Sequence, residues 1–123
     1  MNIIIDTHIF LWLIYDVKRV NKEHLRYIKD LNNTIYLSSI SIAEIAIKKS
    51  IGKLDVDFDM FEILDDMGFD ILDFDGKSAL HLGLLPFFHR DPFDRMIISQ
   101  GISHNYKIIT VDKKFVQYNC KLL

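Results

Sequence analysis

Apolar and polar positions along the chain fall into short runs of two kinds. Ile3-Ile4-Ile5 is a β-branched run with no polar face, which predicts a strand covered on both sides. Residues 7–15 are apolar over a helical length, and residues 21–31 form a polar, amphipathic stretch; both read as helices. Ile35-Tyr36-Leu37-Ser38 predicts a second buried strand, and residues 41–51 a helix stopped by Gly52. Phe61, Leu64 and Met67 recur at helical spacing, with Asp59, Glu62, Asp65 and Asp66 mostly on the other side. Residues 69–73 predict a third strand, 91–105 a helix and 107–111 a fourth strand. Strands separated by helical stretches need crossover connections, which gives a mainly parallel sheet with helices on both faces. With no internal repeat or linker, residues 1–123 read as a single α/β domain.

The formal net charge is only −2, but it is unevenly spread. Residues 55–75 hold nine acids and no Lys or Arg, so the remaining chain carries 15 bases against 8 acids. Near-neutrality therefore does not exclude a polyanionic partner. The acidic block is expected to be a solvated face turned away from such a partner. Half of the residues are hydrophobic, which excludes a disordered chain. The lone Cys120 permits no intrachain disulfide. The apolar start lacks a basic n-region and is interrupted by Asp6-Thr7-His8, and no stretch matches a membrane span. The expectation is a soluble, cytoplasmic protein.

Four carboxylates take recurring places. Asp6 follows the first strand and Asp112 the last, where ligands collect in parallel sheets. Glu44 shares a helical stripe with Ile40, Ile47 and Ile51, and Asp94 one with Ile97, Ile98 and Gly101. A buried carboxylate is costly unless paired, hydrogen-bonded or bound to metal. Each acid also has a purely local reading. Ser41-Ile42-Ala43-Glu44 matches a capping box, and in Asp91-Pro92-Phe93-Asp94 the two acids fit an N-cap and an N3 position. Asp6 and Asp112 could equally cap turns. Taken together, the four suggest one oxygen-rich site suited to Mg²⁺ or Mn²⁺ and to metal-assisted hydrolysis of a nucleic-acid backbone.

Ile4-Ile5-Asp6-Thr7-His8, the run from Ser38 to Lys48, His89-Arg90-Asp91-Pro92-Phe93-Asp94-Arg95-Met96-Ile97-Ile98-Ser99-Gln100 and Ile109-Thr110-Val111-Asp112 resemble a PIN-domain protein. The likeness is greatest to VapC-like toxins of type II toxin–antitoxin systems, and it extends over essentially the whole chain. It implies a three-layer α/β/α sandwich and Mg²⁺- or Mn²⁺-dependent cleavage of single-stranded RNA. It also implies a cognate antitoxin and a homodimer. Asp6, Glu44, Asp94 and Asp112 fall on the family's acidic positions, with Asp91 competing for the third. Thr7 and Thr110 fall where the family places hydroxyls beside the site. His8 departs from the smaller polar residue common there.

His89, Arg90 and Arg95 flank the third acidic motif as candidates for substrate phosphates, or else for rim salt bridges. Lys48, Lys49 and Lys53 could extend a phosphate track or simply suit a helix C-terminus. The apolar runs 10–15 and 84–88 are core by default, and a dimer seam or antitoxin groove if exposed. Two other classes compete with the nuclease: a PIN-fold module that binds RNA or protein without cleaving it, and a phosphoacceptor receiver domain. The receiver expects paired acids after the first strand and a late lysine, whereas Asp6 stands alone and Asp112 holds the late position. A metal-free ribonuclease using paired imidazoles finds no support in the scattered His8, His24, His81, His89 and His104.

Overall fold

In the computed structural model, which describes all 123 residues, five parallel strands form one sheet in the order β3-β2-β1-β4-β5. The strands are β1 (Asn2–Ile5), β2 (Thr34–Ser38), β3 (Asp70–Leu72), β4 (Lys107–Ile109) and β5 (Lys121–Leu122). Six α-helices accompany them: α1 (Thr7–Tyr15), α2 (Lys22–Lys29), α3 (Ser39–Ser50), α4 (Met60–Met67), α5 (Gly76–Leu82) and α6 (Pro92–His104). Single 3-10 turns follow α1 (Val17–Arg19) and β4 (Lys113–Gln117).

The isoleucine run forms the central strand because both of its faces are covered. Ile3 and Ile5 pack with Phe10, Leu37, Ile45, Leu64 and Ile109 on one side. Ile4 packs with Ile97, Ile98, Ile108, Phe115 and Tyr118 on the other. Side chains alternate across a strand, so one three-residue run seeds two cores and fixes three layers. The α/β/α sandwich expected from the sequence is therefore the observed fold.

The chain runs outward from β1 through β2 to β3, then returns to place β4 on the other side of β1. The topological switch thus lies between β1 and β4, at whose carboxyl ends Asp6 and Thr110–Asp112 stand.

Several elements differ from the sequence reading for identifiable reasons. Helix α3 starts at Ser39, two residues early, because Ser38 caps it by accepting from the Ile40 N–H. It ends as expected: Gly52 takes φ +72°, and Lys53 N–H reaches the Lys48 carbonyl at 2.8 Å. Thr110 and Val111 leave the fourth strand, whose pairing stops at Ile109. Helix α5 carries no strong periodicity; Ser99 Oγ on α6 donates to the Ser78 carbonyl at 2.5 Å and anchors it by tertiary contact. Strand β5 is two residues long and exists through its pairing with β4.

Helix α6 lies close to β4 at one residue. A Cβ added to Gly101 would meet Ile108 Cδ1 at 2.6 Å and Cγ1 at 3.0 Å, and Ile108 is fully buried. Gly101→Ala should therefore destabilise the fold by roughly 1–3 kcal/mol in urea unfolding. Ile108→Val, which removes Cδ1, should restore part of that loss in the double variant. Equal stability of Gly101→Ala and the parent would show that this approach is not tight.

Candidate metal centre

Asp6 is the first residue beyond β1, and its side chain is 3% exposed. Its carboxylate caps α1, Oδ1 accepting from the Ile9 N–H at 2.8 Å, while Oδ2 accepts from the Thr110 hydroxyl. Burial raises the Asp6 pKa above the ordinary aspartate value, against the opposing effect of those two hydrogen bonds. The negative charge of Asp112 pushes in the same direction. Thr110 also accepts from the Asp112 N–H at 3.0 Å, so one hydroxyl orients both strand-end acids. The Asp112 carboxylate itself caps the following 3-10 turn through the Lys114 N–H.

The third motif separates its two acids by role. Asp91 is the N-cap of α6, accepting from the Phe93 and Asp94 N–H groups, with Pro92 at the first helical position. Asp94, one turn inward, is half-buried and free of capping. Its Oδ2 lies 2.8 Å from His89 Nε2. Desolvation and the neighbouring Asp91 push the Asp94 pKa up to about 6, although His89 pulls it down.

Glu44 is also buried, but not on the stripe the sequence suggested. Ile47 and Ile51 are exposed, and the buried face of α3 carries Ser41, Glu44 and Ile45. Glu44 does not return to a backbone N–H as a capping box requires. Its Oε1 accepts from the Thr7 hydroxyl at 2.8 Å, which in turn accepts from Ser41, and Oε2 pairs with Lys48 Nζ at 2.6 Å. The Lys48 pKa is raised, first by that bond and then by the charges of Glu44, Asp91 and Asp94. Lys48 is thus committed to the acids, while Lys49 and Lys53 are exposed.

Two of the three expected phosphate contacts are placed otherwise. His89 is 9% exposed and enters the acid group itself, with Nε2 also 3.4 Å from Asp112 Oδ2. Arg95 is buried on the far side of α6, donating to the Pro86 carbonyl at 2.8 Å and to the Tyr118 hydroxyl at 3.2 Å. Its guanidinium lies 4.1 Å from the centre of the Phe87 ring. It holds the 84–88 segment and is not available to a substrate. Arg90 is exposed. The nine acids of the 55–75 block are all exposed, and none lines the site.

The ligand atoms of His89, Asp94 and Asp112 lie within 4.8 Å of one another, as groups sharing one ion do. Asp6 is electrostatically coupled to the same cluster through Asp112. Asp6 and Asp94, each beside Asp112, both have raised pKa values, first through burial, and a divalent cation would offset that cost. Carboxylate oxygens suit Mg²⁺ or Mn²⁺, and the His89 Nε2 is engaged with Asp94. The donor set fits the ion that the sequence chemistry calls for.

Comparison with known proteins bears on the family and the fold. The family model described as PIN domain matches residues 3–119. The chain belongs to the PIN-domain family. Solved structures share its fold over most of their length. A chain of VapBC2 from Rickettsia felis, bound to a DNA fragment from its promoter, aligns with a TM-score of 0.72 at 23% identity, covering 100% of this chain and 98% of that one. DNA-bound VapBC from Salmonella typhimurium gives 0.69 at 17%, covering 100% and 97%. FitAcB from Neisseria gonorrhoeae gives 0.66 at 18%, covering 98% and 96%. No curated protein matches in sequence.

Within this PIN domain the raised Asp94 pKa has a consequence for stability. An unfolded aspartate titrates near pH 3.9, so between about pH 4 and 6 the folded state binds the proton more tightly. The cost of the charged form is absent below about pH 4 and fully present above about pH 6. Asp94→Asn should therefore raise the Tm of the metal-free protein at pH 7.5 by a few degrees, for a gain of about 1 kcal/mol after solvent screening. The gain should fade toward pH 4 in thermal unfolding. An unchanged or lowered Tm at pH 7.5 would contradict the repulsion.

Proposed function

We propose that this PIN-domain protein is the toxin of a type II toxin–antitoxin pair, a Mg²⁺- or Mn²⁺-dependent endoribonuclease hydrolysing single-stranded RNA. The observation that carries this reading is the cluster of His89, Asp94 and Asp112, with Asp6 sharing a cleft with Asp112 at the carboxyl ends of β1 and β4. Asp6, Asp94 and Asp112 would hold the ion, with Glu44 acting through water and Asp91 as the cap of α6. When bound by these residues, a divalent ion would supply a water of lowered pKa and charge neutralisation for a phosphodiester.

The chain's own residues supply the positioning. The Ile9 N–H and the Thr110 hydroxyl fix the Asp6 carboxylate, and each of its oxygens keeps a lone pair for a cation. His89 holds Oδ2 of Asp94, which fixes that carboxylate and leaves its Oδ1 without a hydrogen bond. Thr7 and Lys48 clamp Glu44 so that it contributes a fixed, largely neutralised charge. Water delivered in line at phosphorus, with the 3′ oxygen leaving, gives 5′-phosphate and 3′-hydroxyl ends.

An antitoxin partner and a homodimer follow from the same reading. Several of the similar folds were solved as VapBC assemblies. Two exposed apolar surfaces suit such assembly. One is a groove of about 320 Å³ lined by Leu13, Val17, Leu25, Ile28, Leu31 and Met67. The other is the strip of Leu80, Leu84, Phe87 and Phe88, each at least half exposed. No helix is long and apolar enough to cross a membrane.

Incubation of the antitoxin-free protein with single-stranded RNA tests the activity. Cleavage is expected with Mn²⁺ or Mg²⁺ and none with EDTA. Asp6→Asn and Asp94→Asn should lower the rate by roughly a hundredfold or more while keeping the fold. RNA that binds but stays intact in every metal would favour the non-catalytic binding module.

A further inference from the structure

We propose that Arg19, held against the ring of Trp12, is the residue that grips a substrate phosphate beside the acid cluster. This rests on the nuclease reading above and adds a binding residue to the same site.

A cleft of about 480 Å³ is lined by Asp6 and Asp112 together with His8, Trp12, Arg19 and Val111. Whatever occupies it is continuous with the place where a scissile phosphate would sit. RNA needs positive charge next to acids that otherwise repel it, and most basic groups near the cluster are already committed. Lys48 is paired with Glu44, His89 is bonded to Asp94, and Arg95 is buried against Phe87 and Tyr118. Arg19 is not committed. It is exposed, and its guanidinium makes no ion pair and no hydrogen bond within the protein.

It is nevertheless held in place, because its guanidinium carbon lies 4.6 Å from the centre of the Trp12 ring. Stacking on an aromatic face orders the guanidinium without using its N–H groups. All five donors remain for an anion, in a plane that suits two phosphate oxygens at once. Trp12 is itself half-buried and packs against the core beside β1, so the ring is a rigid support. The 3-10 turn Val17–Arg19 ends on Arg19, which brings the side chain back over α1. The sequence offered no sign of this residue, seven positions beyond Trp12 and outside every acidic motif.

The test uses the full chain carrying Asp94→Asn, so that RNA is bound and not cut, and a labelled single-stranded RNA of twelve nucleotides followed by anisotropy between 50 and 200 mM KCl. In that background Arg19→Gln should weaken binding about fivefold to tenfold at low salt. It should also reduce the slope of log affinity against log salt by about 0.7, the value for one phosphate contact on a single strand. Arg19→Lys should restore the slope but only part of the affinity, because it keeps the charge and loses the planar fork. Trp12 is the sole tryptophan, and its emission should change as RNA is added to the Arg19 protein. Undiminished affinity and slope in Arg19→Gln, with RNA still bound, would overturn the inference and leave the nuclease reading standing. Failure of the Arg19 protein to bind RNA at any salt would overturn both.

Discussion

The arrangement of the site depends on one buried carboxylate. Asp6 is placed by the end of β1, capped into α1 and bonded to Thr110 beyond β4, so it ties together the two strands on either side of the topological switch. Taking a charged carboxylate out of water costs several kcal/mol unless it finds partners. Two hydrogen bonds recover part of that cost, and the raised pKa shows that they do not recover all of it. The remainder is unrelieved desolvation, with the charge of Asp112 adding to it. The same logic extends to Asp94, which His89 steadies but does not neutralise. Glu44 is the contrast, because Lys48 and Thr7 satisfy both of its oxygens.

Most of the fold was legible because the central strand is unambiguous. Ile3, Ile4 and Ile5 are apolar on both faces, and that alone requires layers on both sides. Helix ends were legible where a residue has to adopt positive φ, as at Gly52. The parts that escaped are those whose existence is tertiary. Helix α5 is held by Ser99 on another helix, and β5 by its edge pairing with β4. On α3 the helical stripe was offset: Ile47 and Ile51 are apolar yet exposed, whereas Ser41 and Glu44 are polar yet buried. A hydrophobicity pattern cannot identify a face whose interior side is a hydrogen-bonded network of Thr7, Ser41, Glu44 and Lys48.

For the acids, local and functional readings turned out to be compatible. Asp6, Asp91 and Asp112 all cap helical turns. Capping fixes where such a carboxylate sits without exhausting its lone pairs, so a cap can serve a cation as well. The capping signal in the sequence therefore carried no information about which acids converge. Convergence came from strand order, which brings residues 6 and 112 together across more than a hundred positions. The basic residues were harder to read. His89, Arg90 and Arg95 adjoin the third motif in sequence, yet α6 turns Arg95 into the second core and His89 into the acids.

The charge distribution follows from these placements. The exposed acidic block of residues 55–75 adds negative charge outside the cleft, where solvent screens it. Around the site, the basic side chains nearest the carboxylates serve the acids: Lys48 pairs with Glu44, and His89 bridges Asp94 and Asp112. The acids lining the crevice are therefore only partly compensated by the protein's own basic groups. Net charge near zero is then the sum of unlike regions, and the field at the cleft is set by the charges left unpaired within a Debye length of it.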